Sequence, residues 1–209
     1  MIVPAILTNT KDEFTKMIDI CSGFANYAQI DIMDGKFVPS KSIELTDLDN
    51  YTSPIECEAH LMVSEPSDWI LPFKKIGAKR ILYHFEINAD HLQIIDEIRK
   101  LDLSTGIAVN PATTIDDFKY LVAKIDAVLF MSVNPGFYGA PFIPDVLKKI
   151  KEFKSIYPDK IIGIDGGIKL DNLLKVKESG VDYICVGSAI LKNINPGQSY
   201  QEFQKLLHA

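Results

Sequence analysis

Eight short runs rich in β-branched and other apolar residues alternate with longer stretches of helical periodicity along the chain. Several of these runs are apolar on both faces, which is typical of strands buried in a parallel sheet. Strand and helix in regular alternation predict parallel βαβ units. The predicted strands cover residues 2–7, 27–32, 55–61, 80–84, 105–109, 127–131, 161–164 and 183–186.

The segments between the predicted strands carry the signals of surface helices. In residues 89–101, Leu92, Ile95 and Ile98 recur at three-residue spacing beside charged residues, so that one face packs and the other meets solvent. N-cap chemistry predicts helix starts at Ser67 and at residues 113–114. Residues 45–50 form a short crossover poor in apolar side chains, where we expect only a helical turn.

The number of βα units and the chain length together select the fold. No Ser/Gly-rich linker or charge block divides the 209 residues, so we predict one domain over residues 1–209. Eight βα units of this size close most economically into a (β/α)8 barrel. The competing fold is an open doubly wound sheet, which would need fewer strands or more residues for its covering helices.

Charge and cysteine content limit the partners and the compartment. The 22 Lys and Arg against 28 Asp and Glu give a formal charge of −6, so we expect no nucleic-acid partner. Three cysteines without short spacings predict neither a disulfide framework nor a thiolate zinc site, which is typical of a reducing cytoplasm. The apolar start lacks a basic region and no apolar run approaches membrane-spanning length, so we expect no signal peptide and no membrane association.

Acidic and histidine side chains follow several predicted strands, where (β/α)8 barrels carry their chemistry. A single Asp or His there is more often a structural group or a helix cap. Asp31 and Asp165, however, end strands two and seven, which we expect to face each other across the barrel. Opposed carboxylates suit epimerisation next to a ketone, in which a proton leaves one face of a carbon and returns to the other. His60 is the candidate ligand for a metal ion that stabilises the enediolate oxygen.

Two glycine-containing turns indicate phosphate recognition. Gly166 and Gly167 follow strand seven, and Gly187 and Ser188 follow strand eight, the two strands whose loops commonly form a phosphate site in this fold. Backbone amides would then hold the dianion, which explains how an acidic protein could bind it. Tight turns alone would account for either pair taken separately.

Other residues near the strand ends are candidate substrate contacts. Residues 134–139 combine hinge and aromatic residues, which is typical of a mobile lid, although an ordinary loop could look the same. Gly136 and Gly139 of this loop are its candidate contacts. Methionines near strand ends are most often core fillers, but they could also form pliable apolar walls. The candidates for such walls are Met33, Met62 and Met131.

These motifs together resemble the ribulose-phosphate 3-epimerase family over nearly the whole chain. The matching segments are Pro-Ala-Ile-Leu at 4–7, Asp-Ile-Met-Asp-Gly at 31–35 with Phe-Val-Pro at 37–39, His-Leu-Met-Val at 60–63, Asn-Pro-Ala-Thr at 110–113, Val-Asn-Pro-Gly-Phe at 133–137, Asp-Gly-Gly-Ile at 165–168 and Gly-Ser-Ala at 187–189.

The resemblance implies a barrel of the phosphate-binding type that interconverts D-ribulose 5-phosphate and D-xylulose 5-phosphate by proton transfer at C3. It implies that Asp31 and Asp165 are the two acid/bases and that they bind a divalent metal (zinc, iron or manganese) together with His60. Thr8 matches a family serine near the first strand end, which makes it a candidate substrate contact. Oligomers are common in the family, so we expect a homo-oligomer.

One departure from the family pattern affects the metal. The family has a further metal-binding histidine two residues before the first aspartate, and this chain has Gln29 there. A carboxamide keeps a possible oxygen ligand but loses the nitrogen donor that zinc and ferrous iron favour. We therefore expect the metal to be held weakly or to be lost. Tyr138 in the lid and the extra methyl group of Thr8 are two smaller departures.

Three hypotheses follow from this pattern. The first is an active epimerase acting on ribulose 5-phosphate or a close ketose phosphate. The second is a catalytically weak or retargeted paralogue that binds another ketose phosphate, and Gln29 is its main support. The third is a related decarboxylase. That chemistry would require a lysine in the acidic motif after strand two or three, and residues 31–34 contain none.

Overall fold

A closed barrel of eight parallel strands forms the centre of the molecule. The structure is a computed structural model that describes residues 1–136 and 141–208. Each strand pairs with its neighbours in chain order and the eighth pairs with the first, which confirms the (β/α)8 barrel. The strands are β1 (Ile2–Ile6), β2 (Tyr27–Met33), β3 (Glu56–Met62), β4 (Arg80–His84), β5 (Ser104–Val109), β6 (Ala127–Met131), β7 (Ile161–Asp165) and β8 (Tyr183–Val186).

The connecting segments cover the outside of the barrel with helices. They are α1 (Lys11–Ser22), α2 (Ser67–Ile76), α3 (His91–Lys100), α4 (Ile115–Phe118), α5 (Val146–Ile156), α6 (Leu173–Lys177), α7 (Ser188–Leu191) and α8 (Pro196–His208). Helix α2 begins at Ser67, but Pro66 and not Ser67 holds its N-cap position, whereas Thr114 caps α4 in a capping box with Asp117 as predicted. The short second crossover is a single 3₁₀ turn, Leu45–Leu48, as expected. No helix in the described ranges is long and apolar enough to cross a membrane.

Side chains on each strand alternate between the barrel interior and the layer beneath the helices. On β2, Ala28, Ile30 and Ile32 belong to the large apolar cluster under the helices. The inward positions between them therefore need not supply that apolar contact and can carry polar groups. Gln29 and Asp31 occupy two of these inward positions.

The register of the barrel sets several strand-end residues at the same level. Asp31 pairs with His60 across β2 and β3, and Asp165 pairs with Cys185 across β7 and β8. Only β1 and β8 lie between β2 and β7 on the shorter path around the barrel. The expectation that strands two and seven face each other directly is thus corrected, because eight strands in chain order set strand six opposite strand two. The shorter path brings Asp31 and Asp165 closer together than opposite strands would.

Candidate active site

A cavity of about 340 Å³ opens at the carboxyl ends of the strands. Among the described residues, its lining includes the two acidic side chains and the histidine predicted from the sequence, together with the predicted methionines and glycines. Those predicted residues are Asp31, Met33, His60, Met62, Met131, Gly136, Asp165, Gly166, Gly167, Gly187 and Ser188.

Two predicted contacts are not placed on this cavity. Thr8 is buried two residues after the end of β1, and its carbonyl accepts a hydrogen bond from the backbone N–H of Ile43. The neighbouring Leu7 lines the cavity instead. Gly139 lies in 137–140, outside the described residues. Of the expected lid, the structure therefore describes residues 134–136. The Gly136 carbonyl accepts a hydrogen bond of 2.6 Å from the Ser40 hydroxyl.

Asp31, His60 and Asp165 converge at the bottom of the cavity. The His60 Nδ1 atom lies 2.9 Å from Asp31 Oδ1 and 3.5 Å from Asp165 Oδ2. The His60 side chain is fully buried, and the two carboxylate side chains are 12% and 13% exposed. One ligand atom from each residue lies within 4.8 Å of the other two. Two carboxylate oxygens and one imidazole nitrogen are donor types that divalent metals bind in proteins.

Gln29 lies beneath this cluster and connects its two carboxylates. Its amide Nε2 donates hydrogen bonds of 2.8 Å to Asp31 Oδ1 and 2.7 Å to Asp165 Oδ2. Its Oε1 accepts a hydrogen bond of 3.0 Å from the thiol of Cys185. Gln29 is fully buried, so these neighbours fix the amide. In this orientation Gln29 presents a hydrogen-bond donor, and not a metal ligand, to the cluster.

The close packing of the cluster shifts two ionisation equilibria. Burial and the nearby Asp165 carboxylate raise the pKa of Asp31, a direction that favours proton uptake. Burial alone would lower the pKa of His60, but hydrogen bonds and charge attraction from Asp165 and Asp31 outweigh it and raise this pKa to about 10. In the absence of a metal, His60 is therefore an imidazolium that neutralises part of the negative charge.

A second histidine continues the network away from the cavity. The Nε2 atoms of His60 and His84 lie 3.1 Å apart, and His84 Nδ1 lies 3.1 Å from Glu86 Oε2. The other oxygen of Glu86 accepts hydrogen bonds from the backbone N–H of Asn110 and the hydroxyl of Thr113. Burial lowers the pKa of His84 to about 4, so this ring is neutral. Because Glu86 accepts the Nδ1 proton of His84, His84 Nε2 accepts the Nε2 proton of His60.

The loop after β7 has a backbone that requires glycine. Gly166 and Gly167 have φ angles of +111° and +64°. A Cβ atom at Gly166 would lie 2.6 Å from a methyl group of Val133. Asn172 fastens the loop, since its Nδ2 donates to the Gly167 carbonyl at 3.0 Å and its Oδ1 accepts from the Lys169 backbone N–H at 2.9 Å. The loop is thus held in one shape beside the cavity.

Comparison with known proteins supplies the family. The family model for the "Ribulose-phosphate 3 epimerase family" matches residues 1–191. The chain belongs to this family. It is similar to the ribulose-phosphate 3-epimerase of Synechocystis sp., with 35% identity over 93% of this chain and 89% of that protein. It is also 31% identical to the enzyme of the same name from Buchnera aphidicola, over 99% and 92% of the two chains.

Family membership makes the chain an epimerase that acts on carbohydrate phosphates. The barrel itself recurs more widely. A 3-hexulose-6-phosphate synthase from Salmonella typhimurium superimposes with a TM-score of 0.72 over 99% of this chain and 98% of that chain, at 16% identity. That likeness concerns the fold alone, and the chemistry depends on the site residues.

Several site residues were not among the sequence predictions. Cys185 and Glu86 have side chains in the hydrogen-bonded network, and Lys169 lines the cavity. Cys185 could have been found from strand alternation, because it precedes Gly187 by two positions and therefore shares its inward face. Glu86 lies in the turn after β4, where strand alternation no longer applies. The exposed position of Lys169 in its loop has no comparable sequence signal.

Proposed function

We propose that this chain interconverts D-ribulose 5-phosphate and D-xylulose 5-phosphate, with Asp31 and Asp165 exchanging the C3 proton. The observation that carries the proposal is the pair of carboxylates at the bottom of one cavity, both hydrogen-bonded to the same Gln29 amide. A ketose bound above them would have C3 between two groups that each accept or donate a proton. Such a pair is what inversion at C3 requires.

The reaction is symmetrical in its two directions. One aspartate removes the C3 proton as a base, and the electron pair moves into the bond to C2 to give a 2,3-enediolate. The other aspartate, protonated beforehand, delivers a proton to the opposite face of C3. His60 stands beside both carboxylates and, as an imidazolium, lowers the cost of negative charge in a buried site. A divalent zinc, iron or manganese ion held by Asp31, His60 and Asp165 would supply positive charge near the ketose oxygens.

The rest of the cavity suits a phosphorylated sugar of this size. Its volume lies in the range of small-molecule sites. We assign the phosphate to the loops after β7 and β8, where Gly166, Gly167, Gly187 and Ser188 line the cavity. Lys169 lines the same side and adds a positive charge that the sequence prediction lacked. The methionines Met33, Met62 and Met131 would contact the carbon chain.

Hydrogen exchange at C3 tests this proposal directly. Ribulose 5-phosphate incubated with the protein in deuterated water should exchange its C3 proton and form xylulose 5-phosphate. Asp31→Asn and Asp165→Asn should each slow product formation by about 10²- to 10⁴-fold, because an amide neither takes up nor delivers a proton at this site. Asp116→Asn is the matched control, since that carboxylate is exposed and bonded to Lys119. Unchanged rates in both site variants would refute the assignment.

A retargeted or catalytically weak paralogue is the second candidate, and Gln29 is the observation that favours it. In that case ribulose 5-phosphate would show no C3 exchange even with saturating metal, and exchange would appear in the Gln29→His variant. Other ketose phosphates would then be tested in the same deuterium assay. Exchange by the unaltered chain with ribulose 5-phosphate would refute this candidate.

The proposed enzyme works as a homo-oligomer in the cytoplasm, without nucleic acid or membrane. The three cysteines, Cys21, Cys57 and Cys185, are all free and buried, which agrees with a reducing compartment. Light scattering coupled to size-exclusion chromatography measures the oligomeric state, and a mass equal to one chain of 23.4 kDa would contradict the homo-oligomer.

A further inference from the structure

We propose that the Gln29 carboxamide, oriented by Cys185, takes the position of a metal ion between Asp31 and Asp165, so that divalent metals bind this site weakly. The inference rests on the proposed function only in that both concern the same site. The observation behind it is separate: the Gln29 amide bridges the two carboxylates through its NH₂ group, and its oxygen accepts a hydrogen bond from the Cys185 thiol.

The neighbours of Gln29 determine which end of its amide faces the carboxylates. A carboxyl oxygen that holds no proton only accepts hydrogen bonds, so the end of the amide that lies 2.7 Å from Asp165 Oδ2 and 2.8 Å from Asp31 Oδ1 is the NH₂ group. The opposite end faces the Cys185 thiol at 3.0 Å, and a thiol can donate to an amide oxygen. The reversed amide would set its oxygen against two carboxylate oxygens. The observed orientation therefore satisfies each donor and acceptor in this group.

This orientation works against a metal at the same place. Gln29 Nε2 lies within 2.7, 2.8 and 3.4 Å of the three atoms that would bind the ion, those of Asp165, Asp31 and His60. An ion between these atoms would lie against the hydrogens of an NH₂ group, which has no lone pair to offer. Metal binding therefore requires the amide to turn over, so that Oε1 faces the ion and its hydrogen bond with Cys185 is lost.

The Gln29 amide also replaces part of the electrostatic role that a metal ion would have between the two carboxylates. Two carboxylates at one buried site repel each other, and a cation between them would hold them together. Here the two N–H bonds of Gln29 hold one oxygen of each carboxylate from below. Asp31 and Asp165 thus have a fixed spacing without a metal. Cys185 acts as a positioning residue, because it selects the amide orientation and touches neither carboxylate in the contacts described.

Cobalt(II) titration of the chelator-treated protein, followed by calorimetry and by the visible cobalt spectrum, tests the inference. Cys185→Val removes the donor to Gln29 Oε1 and should tighten cobalt binding by about tenfold, the size of effect typical of residues behind metal ligands. Cys185→Ser keeps a donor and should bind cobalt as the unaltered chain does. Gln29→His supplies an imidazole and should bind at least about tenfold more tightly than the unaltered chain.

Two results would overturn the inference. One is cobalt affinity in the unaltered chain equal to that of Gln29→His. The other is equal affinity in Cys185→Val and Cys185→Ser, with circular dichroism showing both folded. If Cys185→Val does not fold, the cobalt affinities of the unaltered chain and of Gln29→His still test whether the Gln29 amide opposes metal binding. The readout is binding and not turnover, so it separates this inference from the proposed substrate: cobalt affinities can follow the expected order even when ribulose 5-phosphate shows no C3 exchange.

Discussion

At the scale of single residues, both ring nitrogens of His60 have hydrogen-bond partners, and these partners determine where the ring carries its protons. Its Nδ1 faces the Asp31 and Asp165 carboxylates, while its Nε2 faces His84. Glu86 accepts the Nδ1 proton of His84, which leaves His84 Nε2 as an acceptor for His60. A carboxylate two residues beyond His84 therefore keeps the Nε2 proton of His60 in place. The Nδ1 atom is then the one that gains or loses a proton at the site.

The substitution Glu86→Gln should reverse the direction of the hydrogen bonds that run from His60 through His84 to residue 86. The amide oxygen of Gln can still accept from Asn110 and Thr113, but its NH₂ group would face His84 Nδ1. His84 must then place its proton on Nε2, and His60 loses the acceptor for its own Nε2 proton. We expect the ¹⁵N chemical shifts of both rings to change and epimerisation to slow by about 10- to 100-fold.

Glu97→Gln is the control for this change, since Glu97 is a surface carboxylate that accepts hydrogen bonds from Ser67 and Gln93. The tautomer argument fails if the histidine ring ¹⁵N shifts of Glu86→Gln match those of the unaltered chain. A loss of rate without a change in these shifts would indicate a purely structural role for Glu86.

At the scale of elements, the strands were predictable from the sequence and the contacts between them were not. All eight predicted strands lie within one residue of their observed bounds, because strands buried on both faces appear as apolar runs ended by polar residues. The contact between Gln29 and Cys185 joins positions 156 residues apart and depends on barrel register. Leu7 and not Thr8 lines the cavity after β1, and the sequence pattern does not distinguish these two neighbours.

The loop after β7 gives a prediction about substrate affinity. Gly166→Ala puts a side chain at a φ of +111° and against Val133, so it should shift the loop and raise KM for ribulose 5-phosphate. Gly77→Ala is the matched control: Gly77 has a φ of +97° with no atom within 4 Å of the added Cβ, at the end of α2. Each change should cost about 1–2 kcal/mol of stability for the left-handed backbone.

Steady-state kinetics and urea unfolding of both glycine variants separate these effects. An unchanged KM in Gly166→Ala would remove the loop from the phosphate site. An equal rise of KM in Gly77→Ala would show that the effect comes from lowered stability and not from the loop.

At the scale of the whole molecule, the barrel interior is polar at two levels. Beneath the cavity, the buried Glu58 on β3 accepts hydrogen bonds from Arg80 on β4, with Nη2 at 2.6 Å and Nε at 2.7 Å. The Arg80 guanidinium lies 4.8 Å from the centre of the Tyr183 ring, and Gly163 on β7 leaves the space for that ring. Sequence patterns marked the polar residues at the strand ends, but this deeper ion pair needs the closed barrel to bring its partners together. It fills the interior without contributing to the cavity lining.

The stability of the molecule should therefore depend on pH when Arg80 is removed. Burial raises the pKa of Glu58, and Arg80 counteracts that rise. In Arg80→Met the folded-state pKa of Glu58 should rise further, so the native state binds more protons than the unfolded state between the two pKa values. Stability relative to the unaltered chain is then highest below the unfolded Glu pKa of about 4.3 and is lost as pH rises through the folded pKa.

At neutral pH the Arg80→Met loss should reach about 3–5 kcal/mol, because a buried carboxylate is left without its partner. Urea unfolding across this pH range measures the loss, and the double variant Glu58→Gln/Arg80→Met is the control, since it has no carboxylate to ionise. The difference in unfolding free energy between the single and double variants should widen as pH rises. A constant difference would mean that Arg80 stabilises the barrel through its packing on Tyr183 and not through the charge of Glu58.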